Sequence, residues 1–280
     1  MSEPIKLDVE AIVKARMGGK KPPRLLVRFL RHIVHEDIFN RFFQEHPDAR
    51  NYEFIRETLA MLRTSASVEG EEKIFDTDNR LLFVSNHPMG GLDGMIIALM
   101  LAQKRGDRLR VIVNDLLMNL RPLEDIFVPV NRNGAQNREY ALRLKELYDS
   151  EYDILTFPAG MCSRIFSGKV QDPAWQKNFI QKAIESKRDI IPIYFDGKNS
   201  RFFYNLALWR KRLGVKMNVE MLFLADEMFK AHDKHFKLYI GDKISYTTFD
   251  KTQTPTYWAQ WVREKVYNLN PQTKPQKQNK

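Results

Sequence analysis

Residues 81–94 read LLFVSNHPMGGLDG. Leu81, Leu82, Phe83 and Val84 have the length and β-favouring composition of a buried strand, and GMIIALMLAQ at 94–103 reads as the buried helix that follows. The turn between them holds Pro88, Gly90, Gly91 and Gly94, which let the backbone fold tightly and let a ligand come close to the main chain. Asn86, Gly90 and Gly91 are the expected supporting residues of this turn. His87 sits at its centre, and imidazole is the side chain best suited to taking a proton near neutral pH. Asp93 is placed to hold the far ring nitrogen, fixing the tautomer and steadying the imidazolium. The competing reading is a turn whose histidine only caps the next helix. No Gly-x-Ser-x-Gly elbow occurs in the chain, and no second His, Cys or carboxylate pair has ligand spacing near His87, so neither a serine triad nor a metal is expected.

Working outward, strands are expected at 109–113, 126–130, 153–157, 189–195 and 235–240, with helices at 135–148, 175–186 and 255–269. Strand and helix alternate, which predicts an α/β fold with a largely parallel sheet flanked by helices. Ligands of such sheets bind beyond the carboxyl ends of the strands. Three further stretches fall there: FVPVNRNG with Arg132, FPAGMCSR at 157–164, and IPIYFDGKN with Pro192 and Asp196. Arg132 and Arg164 are expected to form a cationic rim beside His87, able to hold a phosphate or carboxylate in bidentate fashion.

Toward the amino terminus, MGGKKPP precedes an expected helix at 24–35. Its spacing gathers Leu25, Leu26, Phe29, Leu30 and Ile33 on one side and Arg24, Arg28, Arg31 and His35 on the other. With an apolar segment at 38–43 it could form a helical hairpin pressed on anionic lipid, or pack on the protein's own core. A third helix is expected at 51–63. The domain reading is therefore a membrane-associating helical region at 1–66, an α/β domain at 67–269 and a disordered basic tail at 270–280. Residues 200–216, SRFFYNLALWRKRLGVK, mix aromatics with cations and no acid, which suits a membrane interface or a helix packed by its aromatic side.

Composition bounds the rest. The 280 residues are 43% hydrophobic, enough for a large core, and the single cysteine, Cys162, excludes an internal disulfide framework. Lys and Arg number 45 against 35 Asp and Glu, a net charge of +10 that favours anionic partners. No zinc-finger spacing, RNP-like strand or helix-turn-helix supports nucleic acid. The polar start, MSEPIKLDVE, does not read as a secretory signal, and no run approaches the ~18–20 apolar residues that span a bilayer.

Taken together, the four strand-end stretches resemble the blocks of the glycerolipid and lysophospholipid acyltransferase superfamily. NHPMGGLDG is similar to its first block, in which a histidine and an aspartate are separated by four residues; here five separate His87 from Asp93. FVPVNR resembles the second block, FPAGMCSR the third, Phe-Pro-Glu-Gly followed by Thr-Arg-Ser-Arg, and IPIYF the fourth, with Pro192 at its proline. In the third block Ala159 stands where glutamate is expected and Cys162 where the first arginine is expected, while Phe157, Pro158, Gly160, Ser163 and Arg164 match. The segment ADEMF is similar to hemolysin-like bacterial members.

The resemblance implies a fold like that of glycerol-3-phosphate acyltransferase, with His87 as catalytic base and Asp93 beside it. Arg132, Phe157, Pro158, Gly160, Ser163 and Arg164 would bind the acceptor. The implied reaction moves an acyl chain from a thioester, acyl-acyl carrier protein or acyl-coenzyme A, to the hydroxyl of a lysolipid, with no metal or other cofactor. The oxyanion would be met by N–H groups near Gly90 or Gly160. The expected partners are the thioester, the lysolipid and an anionic membrane surface, and the expected location is the cytoplasmic side of the cell membrane, peripherally bound. Three acceptor or role assignments stay open. The altered third block favours a lyso-aminolipid carrying a carboxylate; 1-acyl-sn-glycerol-3-phosphate is the alternative; a non-catalytic membrane-surface protein with a degenerate fold is the alternative of another class. Cys162 beside Arg164 also raises the possibility of a thiol nucleophile.

Overall fold

The computed structural model describes residues 6–74, 80–114, 120–130 and 137–273. Arg132 and most of the expected tail lie outside the described residues. Four helices lead in: α1 (Val9–Arg16), α2 (Arg24–Ile33), α3 (Glu36–Glu45) and α4 (Asn51–Met61). The sheet begins with β1 (Ser65–Glu69), β2 (Leu81–Ser85), α5 (Leu92–Arg105), β3 (Leu109–Asn114), β4 (Phe127–Val130), α6 (Asn137–Asp149) and β5 (Asp153–Thr156). There follow a small hairpin, β6 (Arg164–Phe166) and β7 (Lys169–Gln171), then α7 (Asn178–Ser186), β8 (Asp189–Asp196), α8 (Arg201–Arg212), α9 (Leu224–Phe229), β9 (His235–Ile240) and α10 (Pro255–Tyr267).

The main sheet has seven strands in the order β1-β9-β8-β2-β5-β3-β4. Every pair is parallel except β8 with β9, so the expected largely parallel sheet flanked by helices is what forms. β2 lies between β8 and β5, buried at all five positions, which accounts for its unbroken apolar run. Side chains of a strand alternate between faces. Leu81 and Phe83 therefore join the core under α4 and α5, while Leu82 and Val84 join the one under α6, α7 and α10. β8 repeats the pattern, with Ile191, Ile193 and Phe195 on the first face and Ile190 and Tyr194 on the second. The strand ends of β2 and β8 are thereby held side by side by two independent cores.

Several elements differ from the sequence expectation. β1 is an unexpected edge strand, parallel to β9, with Ser65 paired to His235 and Glu69 to Tyr239. Its SASVE is half exposed and too polar to announce itself as a strand. The amino-terminal helices also share the main core: Phe42, Phe54, Ile55, Leu59 and Leu62 pack in one cluster with Leu81, Phe83 and Leu101. The helix expected at 24–35 is α2 and stops at Ile33, because His35 takes a left-handed conformation at φ 54° and opens α3. Instead of lining a basic face, His35 pairs with Asp226 at 3.1 Å and stacks on Phe229 at 4.2 Å. The helix expected from 175 starts at Asn178, and Trp175 stays outside it with its indole turned to Asp172.

Candidate active site

β2 ends at Ser85, and Asn86 locks its end to the neighbouring strand. Its amide donates to the Phe195 carbonyl at 3.0 Å and accepts from the Phe195 N–H at 2.7 Å. The chain then turns through Pro88 to Gly91 and enters α5 with Asp93 already in the first helical turn. Gly90 makes this possible. Its φ is +79°, and a Cβ there would lie 2.9 Å from Leu224 and 3.3 Å from the Cys162 side chain. The five residues between His87 and Asp93 are accommodated by this left-handed step, and Nδ1 of His87 comes to 3.1 Å from Oδ2 of Asp93.

Asp93 is fully buried and also accepts from the Met89 N–H at 3.0 Å and the Gly94 N–H at 2.9 Å. A carboxylate so held is fixed as an acceptor, so Nδ1 of His87 carries the proton toward it. Nε2 then bears the lone pair, and it has no hydrogen-bond partner among the described residues. The imidazole is 17% exposed and lies on the Phe157 ring, centroids 4.2 Å apart. Burial alone would lower the His87 pKa, but the charge and hydrogen bond of Asp93, with help from Asp172, outweigh it and the net direction is up. Burial likewise disfavours the Asp93 carboxylate, yet the charge and hydrogen bond of His87 and the Met89 and Gly94 N–H groups hold its pKa below the ordinary range. A general base near neutral pH needs this combination.

Asp172 is a member of the site that no motif announced. It is 1% exposed and accepts from the His87 N–H at 3.2 Å, from Ser163 Oγ at 2.6 Å and from Trp175 Nε1 at 3.0 Å. Burial pushes its carboxyl up against these donors. Ser163 adds a second tie, its N–H donating to the His87 carbonyl at 2.7 Å. The 157–164 stretch is thus clamped to the His87 turn: Phe157 stacks, Ser163 and Asp172 position the backbone, and the Pro158 carbonyl accepts from the Gln176 N–H at 3.0 Å. The Gly160 N–H is engaged with the Phe157 carbonyl at 2.9 Å.

Arg164 differs most from the expected cationic rim. It is 9% exposed and turned inward, with Nη2 on Glu220 at 2.9 Å and Nη1 on the Cys162 carbonyl at 2.8 Å. Glu220 is fully buried and also meets Arg210 Nε at 2.9 Å, a charge contact without hydrogen-bond alignment. Burying an arginine demands a carboxylate, and Glu220 supplies it from a turn 56 residues away. Cys162 is fully buried, and its thiol is pushed up to about 11 by that burial, against the pull of Arg164. A thiol in that state is not a nucleophile near neutral pH.

A family model described as "Acyltransferase" matches residues 11–274. The chain belongs to the acyltransferase family. Among curated proteins, the acyltransferase is 42% identical over 265 residues to the lyso-glycine lipid O-acyltransferase of Phocaeicola vulgatus, covering 94% of this chain and 95% of that one. It is 41% identical over 265 residues to the lyso-glycine lipid O-acyltransferase of Bacteroides thetaiotaomicron, covering 94% of this chain and 97% of that one. Among solved structures it matches the 1-acyl-sn-glycerophosphate acyltransferase PlsC of Thermotoga maritima, at 15% identity and a TM-score of 0.49, covering 95% of this chain and 90% of that one. The acyltransferase of the sequence reading is therefore the established activity class, and the resemblance drawn from four short blocks extends across nearly the whole chain.

Proposed function

We propose that this acyltransferase transfers a fatty acyl chain from an acyl thioester to the free hydroxyl of a lyso-glycine lipid, with His87 as general base. The observation that carries the chemistry is the His87–Asp93 contact of 3.1 Å, with Nε2 of His87 left without a partner among the described residues. The two curated relatives, both lyso-glycine lipid O-acyltransferases at 41–42% identity, support the acceptor.

In this reading Nε2 takes the hydroxyl proton as the oxygen attacks the thioester carbonyl. Asp93 stabilises the imidazolium that forms. The tetrahedral oxyanion then collapses, the C–S bond breaks, and the imidazolium returns its proton to the departing thiolate. The new ester stays on the acceptor, so no acyl-enzyme forms and the buried Cys162 takes no part. Of the two glycine turns, the one at Gly90–Gly91 suits the oxyanion better, because the Gly160 N–H is already engaged. The thioester is acyl-acyl carrier protein or acyl-coenzyme A, and the reaction as written requires neither metal nor redox cofactor.

The acceptor's remaining chain implies work at a lipid surface. Leu25, at 81% exposure, Leu26 and Phe29 of α2 stand out of the protein beside the exposed Arg24 and Arg28. Phe29 touches Phe223 with ring centroids 6.1 Å apart, and Phe223 touches Phe202 at 5.1 Å, joining α2 to α8 with its exposed Trp209, Lys211 and Arg212. Apolar side chains ringed by cations suit shallow insertion into an anionic leaflet. No helix among the described residues is long and apolar enough to cross a membrane. The reading is peripheral attachment on the cytoplasmic face. Purified protein offered lyso-glycine lipid and lysophosphatidic acid together, with one acyl-acyl carrier protein, tests the proposal. Preferential O-acylation of the glycine lipid is the expected result, and preference for lysophosphatidic acid would overturn it.

A further inference from the structure

A cavity of about 420 Å³ opens beside the His87 turn, between the end of β8 and the start of α8. Met89, two residues past His87, forms part of its wall. The closeness of the two turns is built in: Asn86 is bonded to Phe195, and a Cβ on Gly197 would lie 3.1 Å from the Met89 sulfur. Four cations line the opening, Lys198, Arg201, Lys230 and Lys234, against the single carboxylate of Glu227. Lys230 is paired with Asp226 and Glu227. Lys198, Arg201 and Lys234 have no carboxylate partner among the described residues, and all three are exposed.

The cavity also holds Asn199, which is only 5% exposed. Its amide nitrogen and oxygen are both buried and both without a partner among the described residues. Buried amides are nearly always satisfied, so this one calls for a partner from outside the chain, a water in the cavity that a polar ligand atom can displace. The surroundings are rigid rather than collapsible. The Asn199 N–H donates to Tyr204 Oη at 3.0 Å, and Glu227 holds the Ser200 N–H at 2.5 Å and its hydroxyl at 2.6 Å. Ser200 in turn caps α8 through the Phe203 N–H.

An unpaired side-chain amide needs both a donor and an acceptor from its ligand. A phosphate or a lone carboxylate offers acceptors alone at neutral pH and would leave Oδ1 of Asn199 unsatisfied. An N-acylated amino acid in extended form presents its N–H and its carboxylate on the same side, which matches a primary amide atom for atom. We propose that this cavity is the head-group site for an N-acyl amino acid acceptor. Asn199 accepts from the acceptor's amide N–H and donates to its carboxylate, while Lys198, Arg201 and Lys234 supply the opposing charge. The proposal rests on the amino-acid head of the acceptor proposed above and assigns that head a place distinct from Arg132 and Arg164. Met89 then connects the head-group site to His87, where the hydroxyl must lie.

The test uses N-octanoylglycine as a soluble probe, with its methyl ester as the uncharged control, titrated calorimetrically into wild-type protein, Asn199→Ala and the pair Lys198→Gln with Arg201→Gln. None of the three changed side chains has a hydrogen-bond or ion-pair partner among the described residues, Lys198 and Arg201 are exposed, and matching melting curves verify that truncating the buried Asn199 leaves the fold intact. Wild type should bind the acid at least about tenfold more tightly than the ester. The paired variant should lose that preference, and Asn199→Ala should weaken both ligands. Absence of binding to wild type, equal binding of acid and ester, or variants that bind like wild type would each overturn the site. Variants that raise KM for the acyl thioester and leave probe binding intact would assign the cavity to the donor's phosphate instead. The two proposals fail separately. A wild type that acylates only lysophosphatidic acid yet binds the probe through these residues loses the acceptor, whereas acylation of lyso-glycine lipid with unchanged KM in the variants loses the cavity.

Discussion

The turns after β2 and after β5 stand side by side beyond the carboxyl ends of two neighbouring central strands, and each carries a basic side chain and a glycine of positive φ, Gly90 in one and Gly160 in the other. They do opposite things. The first turns its polar groups on one another and leaves one lone pair outward: Asp93 holds Nδ1 of His87, and Nε2 has no partner among the described residues. The second turns its charge inward, Arg164 lying on Glu220 and the Cys162 carbonyl. A strand end is a place where a site can be built, and the partner that each side chain meets decides whether it becomes reactive or structural. His87 meets a carboxylate six positions along its own turn, whereas Arg164 meets one supplied by a distant segment.

This contrast can be broken first at His87. His87→Ala should lower turnover by roughly 10²–10⁴ or abolish it, with the melting temperature little changed, because the ring is partly exposed and its loss leaves Asp93 with two N–H donors. Thioester consumption by the purified variant checks it. Asp93→Asn should come next, at about 10² or more in kcat. It should also move the acid limb of the pH profile downward, since the charge that raises the His87 pKa is gone. A variant with wild-type pH dependence would separate Asp93 from the base.

At the second turn the expected effect is on stability rather than turnover. Glu220→Gln leaves Arg164 and Arg210 beside a neutral, fully buried amide, and removing one partner of a buried pair costs about 3–5 kcal/mol. Chemical denaturation should read that loss. Arg164→Gln should likewise destabilise with little change in acceptor KM; a large rise in KM at unchanged stability would mean that Arg164 does reach the acceptor. The smallest effect belongs to the surface. Arg24→Glu with Arg28→Glu should weaken flotation with anionic vesicles by about 1 kcal/mol per residue, shrinking as salt rises, and leave turnover on soluble substrates alone.

Much of the fold was legible because it is carried by local pattern. The apolar runs of β2 and β8 are buried on both faces, and a strand that must fill two cores has to be continuously apolar. β1 escaped for the opposite reason, as an edge strand that alternates exposed and half-buried positions needs little apolar content. In the site, the His87–Asp93 contact was legible because both residues belong to one turn. Asp172, Glu220 and Asn199 were not. Each acquires its role from segments far along the chain, Asp172 by meeting the His87 N–H 85 positions away and Asn199 by the cavity that α8 and α9 close around it. The basic side of α2 expected from spacing keeps Arg24, Arg28 and Arg31 exposed, but spacing could not show that Arg31 is tied to Glu36 at 3.0 Å and to Glu10 at 3.3 Å.

The most direct measurement is the pH dependence of kcat/KM for wild-type acyl transfer. A base must be neutral to accept a proton, and the carboxylate of Asp93 keeps His87 protonated to higher pH than a free histidine. Activity should therefore fall as pH drops through an inflection above about 6.5, with a slope of about one proton, and the residual activity of His87→Ala should lack that limb. A wild-type profile that stays flat across that range, or an identical limb in His87→Ala, would contradict His87 as the base.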